Sequence, residues 1–271
     1  MGINLIRKIF FSKLNIPYLV IRKIFYILIK YFGFFSIEAD KQASYYSKLG
    51  LDRLEGLNKL NLILNSNFNN SYSEKHNTYS EHLVLFSSIS VANKKILNIL
   101  EIGTFNGQTA LILSELFPKA KITTIDLPSD NREFVDTYDR SESSSKFIHN
   151  RNQVIRKKEN IEFLEMNSIS LTLFSNNFDL IWIDGAHGYP TVAMDIINSV
   201  RLINKNGYIL IDDIFERRVS SDKHYRSIGG YESLEAIKDA GLIDDFFIIP
   251  KRLSSKENVP WKQKFIGFIK T

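Results

Sequence analysis

From Tyr79 onward, short apolar runs alternate with longer mixed segments, and most of the runs stop at an acid or a glycine. Runs at 95–102, 121–126, 161–165, 179–183 and 207–212 read as strands, and 107–117, 191–202 and 231–240 as helices. Strands alternating with helices predict a parallel sheet covered on both faces. Two further runs, near 245–249 and 264–269, are separated only by a loop, so they are expected to pair as an antiparallel hairpin. The stretch 130–158 is polar and rich in Ser around 141–145, and is expected to be a mobile cover. No internal repeat is present.

The chain has 271 residues, 44% of them hydrophobic, enough for one full-sized domain with an appendage. It has no Cys, which excludes disulfides, thiolate catalysis and Cys-ligated metals. The net charge of +5 is uneven. Arg7, Lys8, Lys13, Arg22, Lys23 and Lys30 fall within residues 1–37, where there is no acid. Without them, 29 Lys and Arg face 30 Asp and Glu. Nucleic-acid enzymes usually carry their basic surface on the catalytic body, so no nucleic-acid partner is expected.

Residues 16–35 read IPYLVIRKIFYILIKYFGFF. Arg22, Lys23 and Lys30 fall within about 100° of one another on a helix, a basic stripe on an apolar cylinder. Each charge near a bilayer centre costs roughly 2.5–3.5 kcal/mol, which disfavours a span. Residues 1–37 are therefore expected to form a basic amphipathic arm lying in a lipid interface. A helix packed on the domain or on a partner subunit, and a true span, remain open readings. No small-residue cleavage site follows, which argues against a signal peptide. Residues 38–78 read as a helical connector and loop, and 79–271 as the principal domain.

Ligands of open parallel sheets bind at the carboxyl ends of the strands. The first of these ends carries Glu101-Ile-Gly103-Thr104-Phe-Asn-Gly107, entering a helix. Asp126 closes the next strand, 19 residues beyond Gly107. A carboxylate there suits the two hydroxyls of a ribose. The G-x-G-x-x-G dinucleotide fingerprint is missing. Glu101 would repel a pyrophosphate but accept a hydrogen bond from an ammonium. S-adenosylmethionine offers an ammonium and a ribose without phosphate.

The segments ILEIGTFNGQTALIL, ITTIDLP, IEFLEMNS, FDLIWIDGAHGYPTVAMDI and NGYILIDDI, in this order, resemble the successive motifs of class I S-adenosylmethionine-dependent methyltransferases. The resemblance spans about 79–271. It implies an α/β, Rossmann-like, doubly wound seven-stranded sheet with a reversed final strand, with the N-terminal helical arm added. It also implies that Glu101, Gly103, Thr104 and Gly107 line the methionine part, that Asp126 holds the ribose, and that Asn167 and Ser168 sit near the adenine. Many relatives carry Asp where Asn167 stands.

Asp184 ends the fourth strand, and Asp212 and Asp213 end the fifth. Adjacent strands lie about 4.8 Å apart, so these carboxylates can meet around one cation. All-oxygen ligation favours Mg²⁺. The Asp184-Gly-Ala-His187 turn before an acidic pair resembles the metal-dependent branch that methylates sugar hydroxyls on macrolides. That resemblance assigns metal binding to Asp184, Asp212 and Asp213, and the general-base role to His187, with Asp184 and His187 as the catalytic pair. His82 is expected to be structural or exposed. Glu216, Arg217, Arg218, His224, Tyr225 and Arg226 are expected to contact the acceptor. The expected function is Mg²⁺-assisted O-methylation of a sugar, glycan or small metabolite. A metal-independent N- or O-methyltransferase and a non-catalytic cofactor-binding scaffold are the alternatives. The expected location is cytoplasmic, at the inner membrane face if the arm meets lipid. Oligomeric state is left open.

Overall fold

A computed structural model describes residues 39–72, 80–138, 144–216, 227–251 and 264–271. The amphipathic arm of residues 1–37 and the expected acceptor residues at 217–226 lie outside them. Helices α1 (Ala39–Lys48), α2 (Arg53–Phe68) and α3 (His82–Ala92) come first. They are followed by β1 (Asn98–Ile102), α4 (Gln108–Leu116), β2 (Lys121–Asp126), α5 (Arg132–Tyr138), α6 (Ser144–Ile155) and β3 (Ile161–Glu165). A 3₁₀ turn (Ser168–Leu173) leads to β4 (Phe178–Ile183), α7 (Thr191–Leu202), β5 (Ile203–Ile214), α8 (Gly229–Asp239), β6 (Phe247–Pro250) and β7 (Phe265–Lys270). Among the described residues, no helix is long and apolar enough to cross a membrane.

The seven strands form one sheet in the order β3-β2-β1-β4-β5-β7-β6. Pairing is parallel from β3 to β5, and β7 runs antiparallel to both β5 and β6. The expected parallel sheet with a reversed last strand is thus found. Alternate strand residues face opposite sides, as the pleat requires. Ile99, Leu180, Trp182 and Leu210 join one apolar cluster with α1–α4, while Leu100, Ile181, Ile183, Ile209 and Ile211 join another with α7 and α8. The polar connector supplies Tyr46, Leu60 and Leu64 to the first cluster, so α1 and α2 are part of the same core.

The stretch expected as a polar cover differs from that reading. It folds into α5 and α6, which bury Phe134, Phe147, Arg151 and Ile155. Its few apolar residues recur at helical spacing, and that pattern is easily hidden by a Ser-rich composition. Strand β1 also starts later than expected. The backbone N–H groups of Leu97 and Asn98 donate to Asp179 Oδ2, each at 2.9 Å.

Candidate active site

Register places the strand ends beside one another. Ile102 pairs with Ile125 of β2 and with Ile183 of β4, and Ile183 pairs with Ile211 of β5. The residues just beyond these positions are Gly103, Asp126, Asp184 and Asp212. They therefore line one edge of the sheet, at the point where the strand order reverses between β1 and β4.

The loop after β1 is held from inside. Thr124 Oγ1 donates to Glu101 Oε2 at 2.6 Å, and the hydroxyls of Thr104 and Thr124 are hydrogen-bonded at 2.7 Å. Thr104 is thus buried with its hydroxyl engaged, and only its backbone is left to meet a ligand. Glu101 is buried, and its Oε1 has no hydrogen-bond partner. Burial pushes its carboxyl up to about 8, against the opposing pull of the Thr124 hydrogen bond. Gly107 caps α4 with φ +77°, a left-handed conformation that glycine takes without strain.

Asp126 accepts from the backbone of Phe105 at 3.0 Å and of Leu127 at 2.8 Å. A carboxylate has about four acceptor sites, so further donors can be received. Asn167 caps the 3₁₀ turn, accepting from Ile169 N at 3.0 Å, and Ser168 opens that turn. Both follow β3, on the far side of Asp126, whose carbonyl accepts from Met166 N at 2.8 Å. Helix α6 backs the loop, with Ile155 Cγ1 3.0 Å from where a β-carbon on Gly107 would lie.

The second half of the edge is acidic. One ligand atom each from Asp184, His187 and Asp212 lies within 4.8 Å of the others. His187 Nε2 is 3.7 Å from Asp184 Oδ1 and 3.9 Å from Asp213 Oδ2. Behind this turn, Asp195 of α7 is fully buried, and burial lifts its carboxyl to about 6. Its Oδ2 lies 3.7 Å from where a β-carbon on Gly185 would stand, so the turn passes close over the helix.

Asp212 and Asp213 are adjacent in sequence and would ordinarily face opposite sides of a strand. Between β5 and β7 the register slips from Ile211 opposite Gly267 to Ile214 opposite Phe265. Asp213 takes φ +51° inside that irregularity. Both carboxylates consequently reach the same lysine. Lys251 Nζ donates to Asp213 Oδ1 at 2.6 Å and pairs with Asp212 Oδ2. Lys264 pairs with Asp213 Oδ2. Burial alone would raise Asp212, but Lys251 brings it down to about 2. Asp184 goes the other way. Burial and then the Asp212 charge raise its carboxyl well above the usual range, although 32% of its side chain stays exposed. Burial first, joined by the Lys251 and Lys264 charges, holds His187 below its ordinary value against the pull of Asp213 and Asp212.

The three expected metal-binding residues are thus not equivalent. Asp184 and Asp212 converge with His187, whereas both oxygens of Asp213 are taken by lysines. Lys251, Lys264 and His82 were not foreseen as site residues. His82 stacks on Trp182 with ring centroids 4.9 Å apart and lies near enough to Asp212 to add, after Lys251, to what lowers that carboxyl. No motif flags these three, because they lie on α3 and at the last two strands, remote in sequence from the acids.

Residues 100–214 match a family whose model is described as a methyltransferase domain. The match covers less than half of the chain. The matched stretch runs from β1 to the end of β5 and holds Glu101, Gly103, Gly107, Asp126, Asp184, His187, Asp212 and Asp213, but not His82, Lys251 or Lys264. A probable polyketide synthase from Dictyostelium discoideum is 28% identical over 165 residues, which cover 54% of this chain and 6% of that protein. The chain therefore spans a small fraction of the length of that relative. Solved structures that the chain resembles include three described as O-methyltransferases. TomG from Streptomyces achromogenes, in complex with S-adenosylmethionine, has 16% identity, a TM-score of 0.47 and coverage of 84% of this chain and 95% of its own. One from Bacillus cereus, in complex with S-adenosylhomocysteine, has 16% identity, a TM-score of 0.47 and coverage of 84% and 96%. The third, a caffeoyl-CoA O-methyltransferase by its description, comes from Staphylococcus aureus. It has 16% identity, a TM-score of 0.48 and coverage of 69% and 81%.

Proposed function

We propose that the chain transfers the methyl group of S-adenosylmethionine to a hydroxyl of a sugar, glycan or other small metabolite. The observation that carries this reading is the abutment of two half-sites. The loop of Glu101, Gly103 and Gly107 with Asp126 lies against the turn of Asp184 and His187, through Gly103 beside Asp184. Glu101 and the loop backbone receive the methionine part, Asp126 the ribose, and Asn167 and Ser168 the adenine. When bound, the sulfonium supplies an activated methyl carbon. His187, neutral near pH 7, takes the proton of the acceptor hydroxyl. The acceptor oxygen bonds to the methyl carbon, and the electrons of the carbon–sulfur bond stay on sulfur.

The donors also fit a divalent cation. Asp212 Oδ1 is buried without a hydrogen-bond partner, and Asp184 stands close to it, a carboxylate pair suited to Mg²⁺ or Mn²⁺ with His187 beside it as the base. A cation held by Asp184 and Asp212 would act as a Lewis acid on the acceptor oxygen. Lys251 favours a second, metal-independent form of the same reaction, because it already supplies positive charge to Asp212. The basic arm adds contact with an anionic lipid surface to this reading. Sedimentation of the full chain with anionic vesicles, lost when Arg22, Lys23 and Lys30 become Ala, would support that contact.

Calorimetric titration of S-adenosylhomocysteine with Mg²⁺ present, on the wild type and Asp126→Ala, tests the core of the proposal. A charge-assisted hydrogen bond contributes roughly 1.5–3 kcal/mol, so affinity should fall about 10- to 100-fold in the variant. No binding to folded wild type would refute it. Methyl transfer to a hydroxylated acceptor with and without chelator then separates the two forms.

A further inference from the structure

The cation that the site already contains is Lys251, and its place is set by backbone as well as by charge. Its N–H donates to Lys264 O at 2.8 Å, and its own carbonyl accepts from Glu81 N at 2.9 Å. The preceding carbonyl, of Pro250, accepts from Gln42 Nε2 at 2.6 Å. The N-terminal helices thus grip the end of β6 at two consecutive residues. Glu81 is itself fully buried and tied by Arg53 Nε at 2.6 Å and by the hydroxyls of Tyr46 and Tyr72, each at 2.9 Å. Lys251 cannot drift far from the acids, and its side chain is 12% exposed. From this anchor its ammonium reaches Asp212 Oδ2 and Asp213 Oδ1. The other oxygen of Asp212 is buried and unpartnered, and Asp184 and His187 stand beside it.

We propose that Lys251 is a resident counter-ion that competes with a divalent cation for Asp212, so that the ammonium retreats to Asp213 when a cation binds Asp184 and Asp212. Asp213 is the receiving group because it faces both lysines and stands outside the convergent donor set. An ammonium left on Asp212 beside a divalent ion would repel it strongly in so buried a place, whereas Asp213 gives the charge a partner one residue away. The N-terminal helices, by holding the backbone of Lys251, set how tightly the site takes a cation. This inference rests on the proposed cation site of the preceding section.

The probe is Mn²⁺ alone, titrated into the full chain, with the free ion followed by electron paramagnetic resonance. Lys251→Met removes the charge and keeps the apolar stem, and the Lys264→Met control removes only a partner of Asp213. Removal of a competing charge at contact distance should tighten Mn²⁺ binding by about tenfold or more in Lys251→Met. Lys264→Met should change it less, and adding Asp212→Asn to Lys251→Met should abolish the gain. Circular dichroism and S-adenosylhomocysteine binding report whether each variant is folded, and Lys251→Gln serves if Lys251→Met is not. Equal or weaker Mn²⁺ affinity in a folded Lys251 variant would overturn the competition and leave the cation site standing. No Mn²⁺ binding by wild type or variant, with cofactor binding intact, would overturn the cation site and the competition together.

Discussion

A β-carbon on Gly103 would lie 2.4 Å from the carbonyl oxygen of Asp184. The glycine loop and the acidic turn therefore touch through backbone, with no space for a side chain between them. Gly103 also takes φ +100°, where an L-residue is strained. Replacing it by Ala should cost roughly 2–5 kcal/mol through backbone strain and overpacking together. Urea unfolding measures this. Cofactor affinity should fall as well, because the loop must shift away from Asp184. An alanine variant of unchanged stability and affinity would contradict the close approach.

Glu101 predicts a pH dependence of stability. Its carboxyl sits at about 8 in the folded chain and at 4.5 when unperturbed. Between those values the unfolded chain has lost the proton and the folded chain retains it. Stability therefore falls as pH rises across that window, and this contribution levels off above it. Glu101→Gln removes the ionisation. The variant should gain stability over the wild type by a few kcal/mol on going from pH 5 to pH 8, read from urea midpoints. Parallel pH curves for the two proteins would show that the Glu101 proton is not held this way.

His187 is depressed below 6.5. In its proposed role as general base it must be neutral, so methyl transfer should be flat near neutrality and fall as pH drops through a value below 6.5. His187→Ala should lower kcat by about 10²–10⁴-fold, with cofactor affinity little changed. A variant that keeps the wild-type rate and pH profile would remove His187 from the chemistry.

Arg53 supports the acids through Glu81 and Lys251. It neutralises Glu81, whose backbone N–H holds Lys251. Removing one member of a buried pair typically costs about 3–5 kcal/mol, because the other charge stays behind. Arg53→Met should lower stability by that much in urea unfolding. Restoration by a further Glu81→Gln change would identify the stranded charge as the cause.

Much of this arrangement was legible in the sequence, for a physical reason. A parallel sheet buries both faces, so its strands must appear as short apolar runs, and its helices as the segments between them. Ligands of such sheets meet the strand ends, and Glu101, Gly103, Asp126, Asp184 and Asp212 stand at the ends of those runs, so they can be picked out as candidates, while the resemblance supplied their proposed roles. Helices α5 and α6 were less visible, since only a few buried side chains mark them within a polar stretch. What tertiary structure alone decided is the charge balance of the site. Lys251 and Lys264 lie 38 and 51 residues from Asp213 and carry no local signature. They reach it because β7 inserts antiparallel between β5 and β6, and because an irregular register with a left-handed Asp213 turns two adjacent carboxylates to the same side. Sequence specifies local periodicity and chemistry, but long-range pairing determines which charges meet.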